Sequence, residues 1–245
     1  MMKILPTRSV PAMLLLDRET FWKTLRRGDI SWAGVASMAG FVVASCAVYG
    51  AVMAGWRSPT LALYAAVKLP FVFVASTALV AVFNWMIAAA MRSGLAFRQT
   101  VALTFASMVV AGWIMLALTP VALFFVFTGM PKIGVATAGE LDFAYRLILF
   151  IHVAVLAVAG VAGNGVLYNG LRTTAPVECP VKALFAAWLA MFAIVGCQMS
   201  WMLSPFVGHP DFEVTFFNSL ALKTNFIQVV FGRLVPSFIT GKSIW

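Results

Sequence analysis

The stretch QTVALTFASMVVAGWIMLALTPVALFFVFTGMP, Gln99 to Pro131, runs for 33 residues between Arg98 and Lys132 without a charge. A helix rising about 1.5 Å per residue crosses a hydrocarbon core about 30 Å thick in about 20 residues. The run is therefore long enough for one membrane span, whereas two spans would need about 40 residues plus a turn. Its Pro120 has no polar loop around it, so the run predicts one long or kinked helix, with Thr119 able to satisfy the carbonyl that the proline frees.

Four more runs of this kind flank it: Ile30 to Trp56, Leu69 to Met91, Leu147 to Leu171 and Ala183 to Pro210. Each exceeds the spanning length, which predicts an all-α polytopic transmembrane bundle of about five spans. Segments 1–29, 30–210 and 211–245 then read as an N-terminal lead-in with an amphipathic helix, the five-span domain, and an extramembrane cap. The composition agrees. The 245 residues are 62% hydrophobic and 10% charged, against about half apolar and about a quarter charged in an average soluble chain. These values exclude a soluble domain, disorder, a disulfide scaffold and a large extramembrane catalytic domain.

The basic residues predict an orientation, because short loops rich in Lys and Arg stay in the cytoplasm. Six precede the first span, and Arg92, Arg98, Arg172 and Lys182 bring that side to ten, against five on the other (Arg57, Lys132, Lys223, Arg233, Lys242). The N-terminus is expected in the cytoplasm and the C-terminus outside. The apolar piece Val10 to Leu16 has only seven residues before Asp17, which predicts the first span as an uncleaved anchor. The net charge of +9 is scattered over span ends. Topology and anionic headgroups account for it, and a nucleic-acid partner is not expected.

Residues 1–16, with Pro6 and Pro11, read as irregular. Residues 17–28, DRETFWKTLRRG, open on an Asp cap and set Phe21, Trp22 and Leu25 among Lys23, Arg26 and Arg27, a short basic amphipathic helix expected along the inner membrane surface. The turn WRSP at 56–59 makes a hairpin of the first two spans. Pro70 suits a first helical turn, so the second span is expected to begin near it, with Lys68 anchored at the interface; a span that begins earlier would place Lys68 inside it, where it must snorkel or find a partner. Ala159 and Gly163 have the small-xxx-small spacing of close helix contact. In GCQMSWMLSPFVGHP, 196–210, Gln198 needs a hydrogen-bond partner and Trp201 suits the aromatic belt. The tail from Asp211 is aromatic, with Phe216 and Phe217, but broken by charge, and is expected to dock on the bundle or on a partner.

Catalytic patterns are scarce. His152 and His209 form no zinc motif, the three cysteines form no disulfide framework, and there is no Walker loop or GxSxG elbow. No cofactor or metal is expected. The polar residues within or at the edge of spans are Lys68, Asn84, Arg146 and His152, and such residues are functional candidates by default. No acid lies within a span, and acids in spans are the usual mark of a transport pathway.

The basic N-terminus, five spans and the segment RSGLAFRQTVAL at 92–103 resemble the Yip-type five-span proteins and their bacterial relatives. LLLDRETFW at 14–22, AVKLPFVF at 66–73, LTPVALFF at 118–125 and CQMSWMLSPFVGHPD at 197–211 resemble a bacterial family of polytopic membrane proteins without assigned activity. The likeness extends from Leu14 to about Phe217, and it implies residence in a bacterial inner membrane with a periplasmic C-terminus. That family favours Arg before the Pro-Phe pair where this chain has Ser204, so no charged role follows for the turn. The expected function is a non-catalytic scaffold or accessory subunit that contacts the bilayer and other membrane proteins or its own copies. Trp22, Ala159, Gly163, Gln198, Trp201, Phe216 and Phe217 are its expected packing or partner contacts. The alternative is a small-solute transporter or channel using Lys68, Asn84, Arg146, His152 and Gln198.

Overall fold

A computed structural model describes residues 9–128, 136–209, 213–217 and 225–229. Lys3, Arg8, Lys132, Asp211, Asn218, Lys223, Arg233, Pro236 and Lys242 lie outside the described residues, as does most of the expected cap. Two short helices, α1 (Val10–Leu16) and α2 (Arg18–Arg26), precede five long ones: α3 (Trp32–Gly55), α4 (Pro59–Ala90), α5 (Phe97–Thr128), α6 (Ala138–Thr174) and α7 (Val181–Leu203). One further turn, α8 (Phe226–Val229), packs against α7. The five long helices are each apolar and long enough to cross a membrane. The chain is a multi-pass membrane protein, and exposed side chains such as Phe83, Phe124, Phe150 and Val161 face the lipid.

Local chemistry sets the helix starts. Asp17 accepts from the Thr20 amide (3.3 Å), Ser31 from Gly34 (3.1 Å) and Ser58 from Leu61 (3.1 Å), while Thr137 and Glu140 close a capping box at α6. Each cap satisfies an amide that a helix N-terminus leaves without a partner. Pro59 occupies the first turn of α4, where its missing amide costs nothing.

The helices pack closely where small residues let backbones approach. A Cβ on Gly50 would lie 2.5 Å from the Ala65 carbonyl oxygen, which locks α3 against α4. One on Gly163 would lie 2.7 Å from the Ser107 oxygen, which locks α6 against α5, as the Ala159–Gly163 spacing predicts. Ala159 is buried beside it. Helix α5 also packs on α3, with Phe41 and Trp113 rings 4.6 Å apart, and α7 lies along α4. Met38, Val42, Cys46, Leu103, Val109 and Met115 fill the centre.

Four expectations are corrected. Residues 10–16 are helical, not irregular: Pro11 fits the first turn, and Met13 and Leu14 are buried. Helix α2 does not simply lie on the membrane. It buries Phe21 and Leu25 and packs on α5 and α6, with Trp22 half-buried against Gly170; Gln99 Nε2 donates to the Leu25 carbonyl (2.9 Å) and fixes it there. Helix α4 starts eleven residues before Pro70, which sits inside it, and Lys68 is a buried side chain instead of an interfacial anchor. In α5, which runs unbroken through Pro120, Thr119 donates to the Met115 carbonyl (2.8 Å), one residue before the Leu116 oxygen that a proline at 120 deprives of its donor.

Candidate functional site

The bundle has two ends. The near end carries α1, α2 and the α4–α5 and α6–α7 connections, and the far end carries the α3–α4 turn and residues 204–209 and 213–217. Polar side chains gather at three places between them.

The first is the centre. Tyr49 on α3 and His152 on α6 are both buried, and the tyrosine hydroxyl lies 2.7 Å from Nδ1 of the imidazole, with the rings edge to face at 5.5 Å. The pair satisfies the tyrosine hydroxyl and Nδ1 in an apolar core, while the buried Nε2 of His152 has no hydrogen-bond partner among the described residues. Tyr49 is a residue the sequence reading does not single out, although a tyrosine in the Val42, Cys46, Tyr49, Met53 stripe of a span calls for a partner. Tyr49→Phe leaves Nδ1 buried and unpaired. It is expected to destabilise the bundle by about 1–3 kcal/mol, and Tyr49→Phe combined with His152→Leu to cost less than the two single changes together, as read in a denaturant titration of the four proteins.

The second is the far end. The Lys68 ammonium, on a side chain only 1% exposed, donates to the Pro205 carbonyl (3.1 Å) and stands over the Phe216 ring, 4.9 Å from its centroid. Phe216 also meets Tyr64 edge-on (5.1 Å), while Phe217 is exposed. Trp56 Nε1 donates to the Val207 carbonyl (3.0 Å), and Tyr145 packs on His209 (4.8 Å). Gln198 Oε1 accepts from the Phe226 amide (3.0 Å), which fixes α8 on α7. The half-buried Trp201 gives its carbonyl to the Ser204 amide and hydroxyl. Residues 204–209 and 213–217 are thus fastened to the α3–α4 hairpin by residues distant in sequence.

The third is α4 itself. Ser76 Oγ, Thr77 Oγ1 and Asn84 Oδ1 are buried and have no hydrogen-bond partner among the described residues. Arg146 does not join any of these groups. It pairs with Asp142 (3.0 Å), and its side chain is 75% exposed. Among the described residues no three His, Cys, Asp or Glu come together as metal ligands, and Cys46, Cys179 and Cys197 are free thiols. Outside the spans, burial raises the Cys179 thiol pKa.

Of the candidates, then, His152 is paired with the buried Tyr49 and Lys68 with the half-buried Pro205, Gln198 and Phe216 hold the far-end residues, and Trp22, Ala159 and Gly163 serve packing. No protein-family model, curated protein or solved structure matches the chain.

Proposed function

We propose that the chain is a non-catalytic scaffold or accessory subunit of a larger membrane assembly, resembling the bacterial Yip-like five-span family and placed in an inner membrane with a cytoplasmic N-terminus. One observation carries this reading: three of its polar side chains in or beside the spans each bond to another part of the protein, His152 through Nδ1 to Tyr49, Lys68 to Pro205 and the half-buried Gln198 to Phe226. Polar side chains used in this way hold the shape of the bundle. Helix α7 supports it as well, because it packs chiefly on α4 and leaves most of its apolar surface open to lipid or to another protein.

Extraction in mild detergent followed by native mass measurement is expected to find the chain bound to other membrane proteins or to its own copies. A stable monomer that moves a solute across liposomes overturns the reading. Single cysteines introduced at Ser31 and Ser58 and challenged with an impermeant maleimide test the orientation, with labelling of the second alone expected in intact cells whose outer membrane has been opened. The unpartnered oxygens of Ser76, Thr77 and Asn84 along α4 favour a second reading, a path for a small polar solute. In that case solute flux in liposomes falls with Asn84→Leu.

A further inference from the structure

A groove of about 330 Å³ opens where the α1–α2 corner meets α5 and α6. Leu14 and Arg18 form one wall, Val110 and Trp113 the floor, and Gly165 and Asn169 the other wall. The volume lies at the lower end of the range for small-ligand pockets, about 300–1,000 Å³. Trp113 is held in place by its indole bond to the Pro11 carbonyl (3.3 Å) and its tilted ring contact with Phe41. A Cβ on Gly165 would touch nothing within 4 Å, so the groove has a notch there.

Polarity along the groove is graded. Asn169 lies five residues from the near end of α6 at Thr174, while Gly165, and Val110 and Trp113 on α5, sit deeper among apolar neighbours. Arg18 stands among the polar residues of the lining. Its Nε donates to the Leu14 carbonyl (2.9 Å), which aims the guanidinium, and Arg18 makes no ion pair among the described residues. The neighbouring acids are engaged elsewhere: Glu19 pairs with Lys23 at 2.6 Å, and Asp17 caps α2. Arg172 adds a second cation three residues beyond Asn169 on the same helix. An oriented guanidinium fork matches a phosphate, and the apolar floor behind it matches a hydrocarbon chain.

We propose that this groove seats one anionic phospholipid, its phosphate on Arg18 and Asn169 and one acyl chain along Val110, Trp113 and Gly165. The lipid would wedge the N-terminal helices against α5 and α6, making their docking depend on the charge of the leaflet.

Native mass spectra of the full chain, with phosphatidylglycerol or phosphatidylcholine of the same chains added back, test this. The expected result is one phosphatidylglycerol retained at concentrations about tenfold lower than phosphatidylcholine. Arg18→Gln, a change at an exposed position, is expected to abolish the preference. Gly165→Leu, which fills the notch, is expected to abolish retention, and Gly165→Ala to keep it. Equal retention of the two lipids by the unaltered protein overturns the proposal, as does unchanged retention by a Gly165→Leu protein that elutes as the parent does. Displacement of the lipid by millimolar inorganic phosphate overturns it too, since the site would then read free phosphate and not an amphiphile.

Discussion

Gly163→Leu is expected to separate α5 from α6 and to cost the bundle about 3 kcal/mol or more. The obstruction is a backbone atom: a Cβ at this position would stand 2.7 Å from the Ser107 carbonyl oxygen, and beyond that peptide group the nearest atom is the Ala111 Cβ at 3.7 Å. A side chain in the way could rotate aside, but a carbonyl inside a helix can move only with the helix. The isobutyl group would widen the interface and weaken the dispersion attraction around it. That attraction drives helix association in lipid, where apolar surface gains nothing from leaving the solvent. Gly160→Leu is the control, because a Cβ there meets nothing within 4 Å. The two variants share the gain in helix propensity of about 1 kcal/mol and differ only in what the side chain strikes. Unfolding followed by steric trapping or by titration with sodium dodecyl sulfate is expected to place Gly163→Leu far below the parent and Gly160→Leu beside it. Coincident curves for the two variants would contradict the close contact.

Lys68→Met is expected to free residues 204–209 and 213–217 while leaving the five long helices assembled. The substitution keeps the apolar stem and removes the ammonium, and with it a charged hydrogen bond to Pro205 and a cation over the Phe216 ring. A hydrogen bond to a charged group contributes about 1.5–3 kcal/mol. A loss of about 2 kcal/mol corresponds to about a thirtyfold rise in the open fraction. Amide exchange at Phe206 to His209 and at Glu213 to Phe217 reports it, and those amides are expected to exchange faster by about that factor while the α5 amides do not change. Global stability is a poor readout here, because the same change removes the cost of keeping a cation away from water. Exchange that stays slow at 206–209 would mean that the Trp56–Val207 bond holds the segment without Lys68.

The five spans are legible because lipid imposes one rule on the whole chain: charge is tolerated at the ends of a crossing helix and hardly within it. That rule fails where a charge finds a protein partner. Lys68 and Pro70 look like a boundary, and the partner that allows Lys68 inside is a carbonyl 137 positions later, which no local pattern announces. Helix α1 escapes notice for a related reason. Seven residues are too few to form a helix unaided, and this one exists by burying Met13 and Leu14 against the bundle. The small residues are read more directly, since Ala159 and Gly163 carry their meaning in their spacing. Lys68, Asn84 and His152 stand out as polar residues in apolar runs, and all three are buried. Tyr49 does not stand out, because tyrosine counts as apolar until its hydroxyl must be placed.

The attachment of residues 204–209 to the α3–α4 hairpin also bears on the order in which the chain is assembled. Trp56 and Lys68 enter the bilayer with the first two crossings, yet the carbonyls of Val207 and Pro205 that receive them are synthesised only after the fifth. Until then the far end of the hairpin keeps two donors waiting, much as pairings of high sequence separation delay completion in soluble folds. A nascent chain stopped after α6 would hold its spans with that end unclosed. The fifth crossing therefore brings the carbonyls that close this end, and until it is made the indole of Trp56 and the ammonium of Lys68 stand without these partners.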